Sequence, residues 1–257
     1  MLDVRDVRIE RGGRIVLDGV SLAVRQGETV GVIGPNGSGK SSLLMALHKA
    51  LQVKEGQVLL DGTDVESLGR RAIAKSIAVV AQETGTALPL SVRDTVMLGR
   101  LASSGVLRYG SDAQADIVEE ALERVGLVGD PDRLITQLSG GERQRALIAR
   151  AIAQQATHIL LDEPTNHLDL RHQFALLDLI ASLDCATIIV LHDLNLAARC
   201  CDRLLLLDRG QLVAAGTPDE VLQPALIEKV YGVSVERVES GEKVHLVFGP
   251  ADNSVAH

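Results

Sequence analysis

Aromatic side chains are almost missing from these 257 residues: two Phe, two Tyr and no Trp. The core must therefore be aliphatic, and platforms for stacking nucleobases are nearly absent. Positive charge is not in excess either. With 26 Lys and Arg against 34 Asp and Glu, the formal net charge of -8 lacks the basic face of a duplex binder and speaks against a nucleic-acid partner. Cysteine is limited to Cys185, Cys200 and Cys201, with no CxxC spacing. An odd count with one vicinal pair does not look like a disulfide framework and reads as reduced, mostly buried thiols in the cytosol. No apolar run approaches the roughly 18 residues that cross a bilayer. The N-terminal MLDVRDVRIERGG also lacks the apolar stretch of a signal peptide. The chain itself is expected not to span a membrane, and its length suits one large α/β domain or a core with a subdomain.

What is present has a clear order. LDVRDVRIE at 2–10 and VSLAVR at 20–25 alternate with period two, the sign of half-buried antiparallel strands. TVGVI at 29–33 is a continuous apolar run that enters a Gly-rich turn, and SSLLMALHKAL follows with helical spacing. VLLDG at 58–62 and IAVVAQ at 77–82 read as further strands. From about 83 to 155 the pattern is helical; then HILLDEP and ATIIVLHD, each followed by a helix, give the βαβ rhythm of a parallel sheet covered on both faces. RLLLLD, QLVAAG and a helix opened by Thr217 and Pro218 close the core, and VSVERVESGEKVHLVF predicts a small strand pair before a frayed end. The expected organisation is a single domain over 1–257. About 1–82 and 156–232 form the core with an antiparallel β subdomain, about 83–155 an inserted helical subdomain, and about 233–257 a short tail.

The chemistry is concentrated in short stretches. Gly34, Pro35, Asn36, Gly37, Ser38, Gly39, Lys40 and Ser41, followed by Ser42, match G-x-x-x-x-G-K-[ST]. In such a loop the glycines let backbone N–H groups curl around a β-phosphate, the lysine reaches between β- and γ-phosphates, and the Ser41 hydroxyl ligates Mg²⁺. Asp162, at the end of the buried run ILLDE, is where a carboxylate supporting Mg²⁺ belongs. Glu163 beside it is free to polarise an attacking water as a general base, unless it is merely a solvated strand end. His192 ends TIIVLHD, where an imidazole can contact the γ-phosphate and orient water, or be an ordinary satisfied polar residue. Gln82 ends IAVVAQ in the same way and either reaches the metal or water or caps a loop.

A second anion-facing helix start appears at LSGGERQR, 138–145, where Ser139, Gly140 and Gly141 precede a helical run. One nucleotide needs one phosphate loop. The simplest geometry gives this second turn to a nucleotide held by another copy, so that two head-to-tail chains trap two ATP molecules across an isologous interface.

Together these stretches resemble the nucleotide-binding subunits of ATP-binding cassette (ABC) transporters over nearly all of residues 1–225. The resemblance makes 34–41 the Walker A loop, Gln82 the Q-loop glutamine and 138–142 the signature. It makes 159–162 Walker B with Glu163 after it, Asn166 to Asp169 the D-loop with Asp169 at the nucleotide, and His192 the switch. It implies a P-loop ATPase fold with a mostly parallel sheet, an antiparallel β subdomain and a helical subdomain. It also implies ATP and Mg²⁺ as cofactors, ATP-driven closure of a homodimer, hydrolysis through Glu163, His192, Gln82 and Lys40, and motion passed to a membrane partner. Gln82, Ser41 and Asp162 form the implied metal set.

Two positions depart from the family pattern. Arg11, in ERGGR, stands where an aromatic ring often stacks on adenine; its guanidinium plane can stack too, and Val16 can pack on the base. Glu142 stands where many members carry Gln, a change expected to be mild because the Gly140 and Gly141 N–H groups do most of the anion binding.

LLDEPTNHLDLRHQ, VMLGR and the short tail are similar to the ATPases of importers for ferric siderophores, haem or cobalamin. That implies an integral membrane permease and an external substrate-binding protein in one complex, with this subunit on the cytoplasmic face of the plasma (inner) membrane. His167 and His172, without a third ligand, do not read as a metal site. A soluble cassette ATPase working on ribosomes or DNA would pair two cassettes or insert a coiled coil, and neither is visible. A regulator that binds without hydrolysing would be expected to lack Glu163 or His192, and both are present.

Overall fold

The computed structural model describes residues 1–81, 89–104, 110–127, 129–166, 168–240 and 243–250. In chain order the first elements are β1 (Leu2–Arg11), β2 (Arg14–Val24), β3 (Thr29–Ile33), α1 (Lys40–Leu47), β4 (Glu55–Leu60) and β5 (Thr63–Asp64). They are followed by α2 (Arg70–Ser76), β6 (Ile77–Val80), α3 (Val92–Met97), α4 (Leu101–Ser104), α5 (Asp112–Arg124), α6 (Gly140–Ala153), β7 (His158–Asp162) and α7 (Leu170–Ala181). The last are β8 (Ala186–Val190), α8 (Leu194–Cys200), β9 (Arg203–Asp208), β10 (Gln211–Gly216), α9 (Pro218–Val221), α10 (Pro224–Tyr231), β11 (Ser234–Ser240) and β12 (Lys243–Gly249). Among the described residues no helix is long and apolar enough to cross a membrane.

The chain forms two compact units, Met1–Ser67 with Ile188–His257, and Leu68–Thr187. In the first, an antiparallel sheet has the order β2-β1-β4-β5. Strand β1 buries Leu2 and Val4, then Val7 and Ile9, so its alternation slips by one residue. The slip is a bulge at Asp6, whose φ of 47° breaks the register between Val4 and Val7. Ser21 holds it, with the Asp6 N–H donating to Ser21 Oγ at 2.8 Å and that hydroxyl donating back to Asp6 Oδ1 at 3.0 Å. The same unit contains β3 paired parallel with β9 and β9 paired antiparallel with β10. β3 is buried along its whole length, and so are Leu204 to Leu207 of β9, as expected for strands covered on both faces. A C-terminal hairpin, β11 with β12, completes it.

In the second unit β6 and β7 run parallel, with Ile77 opposite His158 and Val80 opposite Leu161. Helices α3, α5 and α6 pack on one another. Helix α5 turns Val118, Ala121 and Leu122 inward at the three- and four-residue spacing of one helix face. Helix α6 buries a longer stretch, Ala146 to Ala149 with Ala151 and Ala153.

Candidate nucleotide-binding site

In the first unit β3 delivers the chain to Gly34, whose φ is 145°. A Cβ there would lie 2.1 Å from the Leu207 carbonyl oxygen and 2.8 Å from Ser38 Oγ. Gly39, φ 105°, is also crowded: a Cβ there would lie 2.5 Å from Leu17 Cδ2 and 2.7 Å from the Val16 carbonyl oxygen. Only glycine can close the loop at these two places. Lys40 opens α1 and is buried; its ammonium folds back to donate to the Gly34 and Pro35 carbonyls at 2.7 and 2.9 Å. The Ser38 N–H bonds the Pro35 carbonyl at 3.2 Å, and the Ser38 carbonyl accepts from Gly210 N–H at 3.1 Å. Asn36 and Gly37 form the exposed crest, and Ser41 and Ser42 lie in the first turn of α1.

His192 belongs to the same unit. The Leu191 N–H donates to the Val32 carbonyl at 3.2 Å, so His192 leaves the strands beside Ile33 and Gly34 and is exposed there. Asp193 then caps α8 by accepting from the Asn195 and Leu196 N–H groups at 2.8 and 3.0 Å. Arg11 pairs with Arg14 across the exposed turn between β1 and β2, while Val16 touches the loop through its carbonyl.

The second unit holds the carboxylates. Because Val80 pairs with Leu161, β6 and β7 end at one edge. Asp162 closes β7, and Glu163 follows with a left-handed φ of 52°. Asn166 braces it: its amide donates to Glu163 Oε2 at 2.5 Å and its N–H to the Glu163 carbonyl at 3.2 Å. Asp169 caps α7 by accepting from the N–H of His172 at 2.9 Å and facing its Nδ1 at 2.7 Å. The N–H contact is the main reason its carboxyl sits below the usual range. Gln82 and His167 lie outside the described residues, and among those described no group of three or more His, Cys, Asp or Glu could hold a metal ion.

Ser139 is the cap residue of α6, with Gly140 and Gly141 in its first turn. Glu142 completes a reciprocal cap. Its Oε2 accepts from the Ser139 N–H at 2.9 Å and the Ser139 hydroxyl at 2.8 Å, while its own N–H reaches Ser139 Oγ at 3.3 Å. These bonds, the Ser139 N–H first, hold the Glu142 carboxyl below its ordinary value, and Arg133, 3.4 Å from Oε1, adds to the effect. A cavity of about 260 Å³ is lined by Arg133, Leu138, Glu142 and Arg145 among others. The Glu142 side chain is thus part of the turn itself, beside the glycines. A Cβ on Gly141 would lie 3.4 Å from Leu168 Cδ2, which makes the 139–141 turn and the 166–169 loop neighbours.

The family model described as ABC transporter matches residues 17–166. The chain belongs to the ABC transporter family. It is 41% identical over 238 residues to the cobalamin import ATP-binding protein of Halobacterium salinarum (strain ATCC 29341 / DSM 671 / R1), covering 91% of this chain and 59% of that relative. The chain thus spans about three fifths of the length of that cobalamin import relative. The hemin import ATP-binding protein of Pseudomonas entomophila (strain L48) is 42% identical over 243 residues, 91% of this chain and 94% of the relative. Among solved structures, that of dimeric MJ0796, a bacterial ABC transporter cassette, superposes with a TM-score of 0.75 at 28% identity, covering 85% of this chain and 99% of that one. The fold is that of the ABC ATPases, α/β with parallel strands beside an antiparallel sheet. The 34–41 loop suits a triphosphate. The buried Ser38 hydroxyl has no partner among the described residues, and Lys40 stands at the loop's closing turn.

Sequence reasoning passed over Asn195, Tyr231 and Arg133. Asp193 before LNLAAR is a visible cap signal that marks the start of α8, whereas nothing in the sequence links Tyr231 to Gly34 or Arg133 to Glu142.

Proposed function

We propose that this chain is the ATP-hydrolysing, energy-coupling subunit of an ABC importer whose cargo is a ferric siderophore, haem or cobalamin. The observation that supports it most is the loop at 34–41, with Lys40 at its closing turn and His192 leaving the strands beside it. Gly34 to Ser42 cradle the triphosphate, and Arg11 and Val16 meet the base. Lys40 exchanges its two carbonyl acceptors for phosphate oxygens. Ser41, Gln82 and Asp162 supply hard oxygen ligands suited to Mg²⁺, which when bound neutralises charge on the β- and γ-phosphates. Glu163 accepts the proton of the attacking water, and His192 and Gln82 orient it.

Ser139, Gly140, Gly141 and Glu142 serve the nucleotide of a second copy, with Asp169 at the interface, in a head-to-tail dimer. The dimer drives an integral membrane permease from the cytoplasmic face of the inner membrane, with an external substrate-binding protein in the complex. The names of the cobalamin and hemin import relatives support the importer reading and its cargo class.

Glu163→Gln tests the chemistry. Turnover should fall at least about a hundredfold while ATP still binds and size-exclusion chromatography shows an ATP-dependent dimer; near-native hydrolysis would mean that another group activates the water. Affinity purification from detergent-solubilised membranes tests the coupling, since a polytopic permease at equal stoichiometry is expected. Recovery of ribosomal or DNA-repair proteins from the soluble fraction would overturn the importer reading.

A further inference from the structure

Within the first unit the C-terminal hairpin meets helix α8, which follows His192. Asn195 lies three residues beyond His192 in the first turn of α8. Its amide donates to the Leu246 carbonyl at 3.0 Å and accepts from the Leu246 N–H at 2.7 Å. That is the two-way exchange by which one strand pairs with another, made here by a side chain. Leu246 and Val244, on the same face of β12, are buried. The hairpin is anchored in turn, since the Val235 N–H donates to Glu228 of α10 at 2.9 Å and Arg237 pairs with Asp219 at 2.6 Å. At the end of α10, Tyr231 sits against the Gly34 backbone, where burial pushes its phenol up.

His192 is thus suspended between two fixed points. On one side Leu191 is bonded to β3; on the other, Asp193 and Asn195 fix the first turn of α8, and the Asn195 side chain bonds that turn to Leu246 of the hairpin. We propose that Asn195 is a positioning residue for His192, and that the β11–β12 hairpin is the brace against which it works. The proposal rests on the reading of His192 as a residue of ATP turnover. Displacement of a reacting group by about 1 Å can slow a reaction up to a hundredfold without weakening substrate binding elsewhere.

The test is hydrolysis of ATP by the purified full-length chain carrying Asn195→Ala, Asn195→Asp or His192→Ala. Asn195→Ala should lower kcat about tenfold and leave KM for ATP within about twofold. Asn195→Asp, which keeps the acceptor for Leu246 N–H but turns an oxygen toward the Leu246 carbonyl, should also lower kcat with KM for ATP within about twofold. Should Asn195→Ala fail to fold, Asn195→Asp is judged by the same split. Native kcat in both Asn195 variants, with His192→Ala slow, overturns the brace and leaves the role of His192 standing. A rise in KM matching or replacing the fall in kcat overturns it too, because the hairpin would then serve the nucleotide pocket. Native turnover in His192→Ala overturns the role of His192 and the brace with it.

Discussion

Helix α1 begins behind Gly39, which has no side chain to cap it and whose φ of 105° presses it on Val16. Helix α6 begins behind Ser139, whose hydroxyl and N–H are both taken by Glu142 of the same turn, and its Gly140 has open space where a Cβ would go. A capped helix start has part of its N–H groups satisfied without a ligand; an uncapped one leaves them all to whatever the loop encloses. The first start is shaped for a group that resides in it. The second has the Ser139 and Glu142 N–H groups already taken, and a phosphate arriving at Gly140 and Gly141 must compete for Ser139 with the Glu142 carboxylate.

Substitutions at the two starts should separate them. The largest effect is expected for Gly34→Ala, where a Cβ 2.1 Å from a backbone oxygen adds overpacking to left-handed strain. A loss of about 2–5 kcal/mol should appear in denaturant unfolding, together with lost ATP binding. Lys40→Ala removes a charged donor, and affinity for a fluorescent ATP analogue should drop about 10- to 100-fold, in line with hydrogen bonds to charged groups. Ser139→Ala removes only a cap, about 1 kcal/mol in thermal unfolding, and should leave nucleotide binding by the isolated chain unchanged.

Glu142→Gln should show in the pH dependence of unfolding. The native carboxyl is held below its ordinary value of 4.5, so its contribution is present above that value and lost as pH falls through the lower folded one. The native chain should therefore exceed the variant by less than about 1 kcal/mol near neutrality, the side chain being partly exposed, and the gap should close in acid. Gly140→Ala should change stability by no more than about 0.5 kcal/mol. A loss as large as that at Gly34 would erase the distinction between the two helix starts.

The sequence made the local parts legible wherever a residue's job is set by its own neighbours. GPNGSGKS and LSGGE name their turns because their glycines and cap residues act within a few positions, and the apolar runs TVGVI and HILLD show which strands are buried. The slip at Asp6 was legible in LDVRDVRIE, whose apolar residues step from 2 and 4 to 7 and 9, but the bond from Ser21, fifteen residues on, that holds it was not. Tyr231 beside Gly34 and Asn195 on Leu246 were hidden for the same reason: each contact joins segments far apart in sequence, and neither residue type announces a partner. Glu142 was half legible, its spacing from Ser139 being that of a reciprocal cap, yet its competition with an incoming anion emerges only when Oε2 is seen to take both donors of Ser139.

Glu163 carries a last lesson. Its left-handed φ of 52° costs a side-chain-bearing residue about 1 kcal/mol or more, and the bond from Asn166 holds it in place. Backbone geometry at this position favours Gly or Asn, while the chemistry proposed for it demands a carboxylate. A redesign that scores each residue by its conformational comfort would replace this carboxylate early, and with it the group to which the proposed proton transfer is assigned.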